Sequence, residues 1–302
     1  MTTGVDLGSV PLSGGSASLT ISALAVGTHL IRATYGGDSN FTLSLDSLTQ
    51  TVSPAAATTV VTPSANPSAF DQSVTFTATI GVVAPGAGTP TGTVTFMDGS
   101  TTLGTGSLSS TGTASFTTST LAVGAHSITA AYGGDGNFTT STSGTVSQVV
   151  SPAVTGLAVA SASGTYGGTT TLTATLTAGS VGVPGQTITF TLNGQPCSGN
   201  TAVTDSSGVA TLQNVSLAGI NAGTYSNSIQ ASFPGDTNYL SSSGTGTLTV
   251  NKANQSIQLT VNKANQSIQW SNPADVGLGT ALSATQLNAT VTGCRAARRP
   301  AR

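Results

Sequence analysis

Charge is what this chain of 302 residues most conspicuously lacks. Asp, Glu, Lys and Arg together make up 5% of it, against about 25% in an average soluble protein. Glutamate is absent, and all nine acids are aspartates. Four of the seven basic residues, Arg295, Arg298, Arg299 and Arg302, fall in the last eight positions, which leaves the body Arg32, Lys252 and Lys263 against nine aspartates. No basic stripe exists to neutralise phosphates, so nucleic acid is excluded as a partner of the body. No run of 18 apolar residues occurs, so no membrane-spanning helix is encoded. Met1-Thr2-Thr3-Gly4-Val5-Asp6 has neither the charged n-region nor the apolar h-region of a secretory leader. Cysteine is as sparse. Cys197 and Cys294 lie in dissimilar contexts, so no disulfide framework is indicated, as suits domains large enough to form cores without staples.

With charge removed, the surface must be Thr, Ser, Gly and Asn. β-branched Thr and flexible Gly both disfavour helix and suit exposed strand faces, so the chain is expected to be all-β. Several aspartates stand in turn contexts, Asp98-Gly99 and Asp205-Ser206-Ser207-Gly208 among them, where a short acceptor is expected to bond its own backbone.

The organising signal is a repeat. Tyr132-Gly133-Gly134-Asp135-Gly136-Asn137-Phe138 has near-copies at Tyr35 to Phe41 and Phe233 to Tyr239, at spacings of 97 and 101 residues. That period is one small β-domain, well above the 20 to 50 residues of solenoids. Each copy sets two aromatics around a Gly/Asp/Asn cluster and reads as a β-hairpin loop flanked by a cross-strand aromatic pair. The pairs are Tyr35 with Phe41, Tyr132 with Phe138, and Phe233 with Tyr239. In the third copy the rings exchange identity while their summed volume is kept, as a packed structural pair would behave.

Residues 58–151 show about seven strands, a count that suits an immunoglobulin-like sandwich. Val74, Phe76, Ala78 and Ile80 alternate with polar residues, Val94-Thr95-Phe96 leads into Asp98-Gly99, and Ile128, Ala130 and Tyr132 precede the aromatic loop. Residues 154–250 repeat the order with Leu172, Ala174 and Leu176, then Ile188 and Phe190 before Asn193-Gly194, then Val209 to Leu212. Residues 1–52 align only with the second half of such a unit and are expected to be a partial domain. The junctions Ser53-Pro54-Ala55 and Ser151-Pro152-Ala153 are short and proline-bearing, so neighbouring modules are expected nearly end to end. Each would add roughly 30 Å, for strands of about eight residues at about 3.3 Å each.

An eleven-residue tandem duplication, Leu248–Gln258 and Leu259–Gln269, follows. Eleven is odd, so both copies cannot hold one core parity in a continuous strand. One copy is expected to finish the third module, and 251–269 is read as a duplicated linker. Residues 270–293 read as the start of a truncated further domain, and 294–302 as a non-native-looking basic tail. The expected architecture is tandem immunoglobulin-like antiparallel β-sandwiches, two complete with one partial at each end.

The aromatic loop, the preceding Leu-Ala-Val-Gly-x-His (Leu24–His29 and Leu121–His126) and Gly92-Thr93-Val94-Thr95-Phe96-Met97-Asp98-Gly99 resemble the bacterial immunoglobulin-like repeat domains of the Big_3-like type. Residues 154–250, with Val183-Pro184-Gly185-Gln186 and Thr204-Asp205-Ser206-Ser207-Gly208, are similar to the invasin-like branch of that superfamily. The resemblance implies a sandwich fold and a stalk or adhesin role on secreted or cell-surface proteins. It implies no enzyme and no defined binding residues.

Residues that could carry chemistry give no constellation. His29 and His126, the only histidines, stand at equivalent positions where the third module has Tyr225. Asp38, Asp135 and Asp236 occur one per loop, whereas glycoside hydrolysis needs two carboxyls about 5 to 10 Å apart. The Ser-Pro-Ala junctions carry no acid for an interdomain calcium clamp. Asn40-Phe41-Thr42 and Asn137-Phe138-Thr139 fit the glycosylation sequon, which a Thr-rich chain generates by chance. No cofactor is expected. Two readings remain: spacer modules whose partners are neighbouring modules of a longer chain, or an adhesin-type module whose loops contact carbohydrate or another surface.

Overall fold

A computed structural model describes residues 4–257, 267–270, 275–283 and 289–292. Every regular element among them is a strand. Two units are distinguished, Met1–Lys252 and Ala253–Arg302.

The first repeat is a two-stranded antiparallel ribbon, β1 (Gly27–Tyr35) with β2 (Ser44–Val52), in register from Gly27 opposite Val52 to Tyr35 opposite Ser44. Leu30, Leu45 and Leu48 are exposed on it.

The middle repeat is a sandwich. One sheet contains β3 (Ala57–Pro63), β5 (Val74–Val82) and β8 (Thr113–Thr118). The other has the order β4 (Ser68–Ala69), β11 (Val146–Ser151), β9 (Gly124–Tyr132), β6 (Thr93–Asp98) and β7 (Thr101–Ser107), and short β10 (Ser141–Thr142) also pairs with β9. All pairings are antiparallel except β4 with β11. The period-2 alternation sends Val74, Phe76, Ala78 and Ile80 from one sheet and Val94, Phe96, Ile128, Ala130 and Tyr132 from the other into one buried core. Phe96 stacks on Phe116 with centroids 5.9 Å apart.

The third repeat has the same plan. β12 (Thr155–Val159), β14 (Thr169–Ala178), β15 (Val181–Gly182) and β18 (Val209–Ser216) face a sheet ordered β13 (Ala162–Thr165), β20 (Ser242–Asn251), β19 (Gly223–Phe233), β16 (Thr187–Leu192) and β17 (Gln195–Val203). Its core holds Leu172, Ala174, Leu176, Ile188, Phe190, Ala210, Ile229, Ala231, Phe233 and Leu248. Asn193 and Gly194, both at positive φ, make the two-residue turn between β16 and β17. Cys197 on β17 is a free thiol, partly buried against this core, and burial raises its pKa.

The first copy of the duplication ends the third repeat, with Leu248 and Val250 buried on β20. Most of the second copy, the tail 294–302 and Cys294 lie outside the described residues. In the second unit, β21 (Ser267–Gln269) pairs antiparallel with β22 (Thr290–Thr292). The last three residues of the presumed linker 251–269 are therefore strand, because Ser-Ile-Gln finds a partner ladder more than 20 residues downstream.

Candidate functional site

The aromatic loops are where the repeats concentrate their polar contacts. In the middle repeat Tyr132 ends β9 opposite Val94 and Ser141, and its hydroxyl donates to the Thr91 carbonyl at 2.8 Å. Asp135 then organises the loop as an Asx turn. Its Oδ1 accepts the amides of Asn137 (2.8 Å) and Phe138 (2.9 Å), and its Oδ2 accepts the amide (2.8 Å) and hydroxyl (2.6 Å) of Thr91. The Thr91 hydroxyl above all, with these amides, outweighs partial desolvation and holds the carboxyl at about 2. Gly134 (φ 74°) is required here, since a Cβ would lie 3.0 Å from the Phe138 carbonyl oxygen.

Phe138 does not pair with Tyr132 across a hairpin. It bridges in parallel to Ala55 of the incoming junction: the Ala55 amide donates to the Asn137 carbonyl (2.8 Å) and the Thr139 amide to the Ala55 carbonyl (2.9 Å). The expected cross-strand aromatic pair is thus corrected in all three copies. Tyr35, Tyr132 and Phe233 each face a serine, Ser44, Ser141 and Ser242. An eight-residue connection between those partners is too long for a two-residue hairpin turn, and in the second and third copies the outer-ring residue bridges instead to the chain entering the repeat. Tyr132 is 2% and Phe138 4% exposed.

The third loop repeats this with its rings exchanged. Phe233 is buried. Asp236 Oδ1 accepts the amides of Asn238 and Tyr239, both at 2.8 Å, and Ala153 of the junction bridges to Tyr239. Tyr239 reaches past its own repeat. Its ring meets Phe70 of the middle repeat edge-on, centroids 5.5 Å apart at 85°, and its hydroxyl donates to Asp71 Oδ2 at 3.2 Å. Burial, then the Asp71 charge, raises the Tyr239 pKa. The receiving turn, Phe70-Asp71-Gln72, is fixed by the Phe70 amide donating to Ser151 and the Gln72 amide to Ala69, with Asp71 in the left-handed region at φ 62°. Phe70 and Asp71 were not legible as a site in the sequence, because the equivalent third-repeat turn has Tyr166 and Gly167 instead.

In the first loop the Tyr35 hydroxyl donates to Asp38 Oδ2 (2.7 Å), while Asp38 Oδ1 accepts the amides of Asn40 and Phe41. The Tyr35 hydroxyl and then these amides lower the Asp38 pKa. Phe41 is 68% exposed.

The histidine position has one structural job in every repeat. His29 Nε2–H donates to Ala25 (2.7 Å), His126 Nε2–H to Ala122 (2.8 Å), and the Tyr225 hydroxyl to Asn221 (2.9 Å), each carbonyl four residues back. His126 alone also meets a carboxylate, with Nδ1 2.7 Å from Asp98 Oδ2. From the sequence, Asp98 is expected to bond its own turn. It instead crosses to β9, accepting from His126 and from the Ser127 amide (2.9 Å). Asp205 does bond its own turn, through the amides of Ser207 and Val209.

Among the described residues no three His, Cys, Asp or Glu side chains come together as a metal site, and no helix is long and apolar enough to cross a membrane. Two closed sandwiches of this topology, joined through their loops, define the chain as a serial immunoglobulin-like array. It belongs to the bacterial Ig-like domain (group 3) family, whose model matches residues 1–53, 61–151 and 157–251. A search of curated proteins found no match. Solved structures with similar folds include the D0-D1 domain of intimin, at 18% identity over 60% of this chain and 94% of that one, with a TM-score of 0.23. The Yersinia pseudotuberculosis adhesin InvE shares 19% identity over 65% of this chain and 58% of its own, with a TM-score of 0.27. The Escherichia coli adhesin FdeC shares 18% over 71% and 68%, with a TM-score of 0.26.

Proposed function

We propose that the chain supplies non-catalytic spacer modules of a bacterial secreted or cell-surface repeat protein, with neighbouring Ig-like modules as its partners. The observation that supports this most directly is the use made of the third aromatic loop: its ring and hydroxyl are spent on Phe70 and Asp71 of the preceding repeat. A loop engaged in this way braces one module against the next, and its ring is not left free for a ligand. The bland Thr/Ser surface and the three-residue junctions support the same reading.

An adhesin-type contact with carbohydrate has one observation in its favour, the exposed Phe41 ring on the first loop, since sugars stack on such faces. A glycan array probed with the full chain separates the two. The spacer reading expects no loop-dependent binding. Glycan binding abolished by Phe41→Ala, with the melting temperature unchanged, would overturn it.

A further inference from the structure

The turn at the far pole of the third repeat copies the one that receives Tyr239. β13 runs parallel to β20 as β4 runs parallel to β11, with Gly164 opposite Val250 where Ser68 is opposite Val150. The Tyr166 amide donates to Asn251 as the Phe70 amide donates to Ser151, and the Gly168 amide to Thr165 as the Gln72 amide to Ala69. Gly167 has φ 73° where Asp71 has 62°. Backbone and ring position are therefore the same in the two turns, but Phe70 is packed against Tyr239 whereas Tyr166 is 47% exposed. An exposed aromatic at the tip of a turn that elsewhere serves as a socket is an interface residue with its partner face open.

We propose that the Tyr166-Gly167-Gly168 turn is the receiving half of a second inter-module joint, and that it takes the aromatic Gly-Asp-x-Asn loop of a further Ig-like module. The side chains also indicate the incoming ring. In the occupied joint the hydroxyl comes from the loop and its acceptor, Asp71, from the turn. In the open one the turn has no carboxylate, since Gly167 replaces Asp71, and the hydroxyl is on the turn's own ring. A loop with Phe at the Tyr239 position brings no hydroxyl to be satisfied and fits this socket best.

The inference rests on the spacer reading, and the test keeps the two apart. Residues 1–252 are followed directly by a second copy of residues 153–251, so that Ala153 enters after Lys252 as it does after Pro152. The two closed cores of the first unit make this extension foldable. With the appended repeat isotopically labelled by segment, the expected result is NOE contact between the Tyr166 ring and the ring at the appended position 239. Tyr239→Phe in the appended copy should retain it, and Gly167→Asp should restore a preference for Tyr. Tyr166 ring signals identical with and without the added repeat would overturn the proposal. So would Tyr166 shifts that grow with concentration in the unextended 302-residue chain, because a second copy would then fill the turn. Either failure leaves the contact between Phe70 and Tyr239 standing, so the spacer reading is judged separately.

Discussion

In the middle repeat the inner ring of the aromatic loop carries the hydroxyl and the outer ring does not; in the third repeat the assignment is reversed. Tyr132 uses its hydroxyl within the repeat, on Thr91, and Tyr239 uses its own across the joint, on Asp71. Moving one oxygen from ring to ring thus converts an internal brace into an external one while the apolar volume stays the same. Two further positions differ in the same spirit. Gln148 on β11 is fully buried and its Oε1 has no partner, whereas the third repeat has buried Leu248 there. His126 is bonded at both ring nitrogens where the third repeat has Tyr225. The middle repeat keeps polar groups inside that its neighbour has replaced, so exchanging residues between the two is the direct way to test each role.

The largest effect is expected at the inner ring. Tyr132→Ala should cost the middle repeat about 3 to 5 kcal/mol, read by urea unfolding of the full chain, while Tyr132→Phe, the third repeat's choice, should cost only about 1 kcal/mol for the bond to Thr91. A cost below about 1 kcal/mol for the alanine would contradict a core role. Gln148→Leu comes next and should raise stability by up to about 1 kcal/mol, because it removes a buried orphan acceptor and gives up only two weak contacts at 3.2 Å, to the Ser68 hydroxyl and the Val149 carbonyl. A loss of stability instead would show that the amide is satisfied in solution.

At position 126 the readout is pH. A carboxylate and a carbonyl both accept, so both ring nitrogens must donate and the bonded imidazole is the cation. Desolvation opposes that charge, but the Ala122 carbonyl and the Asp98 carboxylate outweigh it and raise the folded-state pKa above the ordinary histidine value. The stabilisation is therefore complete below the unfolded pKa of about 6.5 and is lost as pH rises through the folded one. The middle repeat should melt at a lower temperature at pH 8.5 than at pH 6. His126→Tyr should remove that slope, and the third repeat should show no corresponding step. The smallest effect is expected from Tyr239→Phe, about 0.5 to 1 kcal/mol in the contact between repeats, with both cores unaffected.

Strand parity was legible because each strand buries one face: the alternation through Val74–Ile80 and Leu172–Leu176 can be satisfied only by a half-buried sheet. The loops were legible because they recur. Their geometry was not, since the spacing of two rings does not reveal that Asp135 and Asp236 turn the outer ring toward the entering chain. Asp98 reads like any turn aspartate, and only the register of β6 on β9 shows that its carboxylate lies beside His126. The socket for Tyr239 was the least legible part. Its defining feature is a backbone turn whose residues change from Phe-Asp-Gln to Tyr-Gly-Gly between repeats, and side-chain identity carries no trace of a conserved shape.

The central claim is that the outer ring of the third loop, Tyr239, joins its repeat to the middle one, and a double-mutant cycle on Phe70 and Tyr239 tests it most directly. Phe70→Ala, Tyr239→Ala and the double variant are unfolded chemically in the full chain. A coupling of about 0.5 to 1.5 kcal/mol between the two rings is predicted. Additivity within about 0.3 to 0.5 kcal/mol would mean that the rings do not hold the repeats together, and would contradict the account.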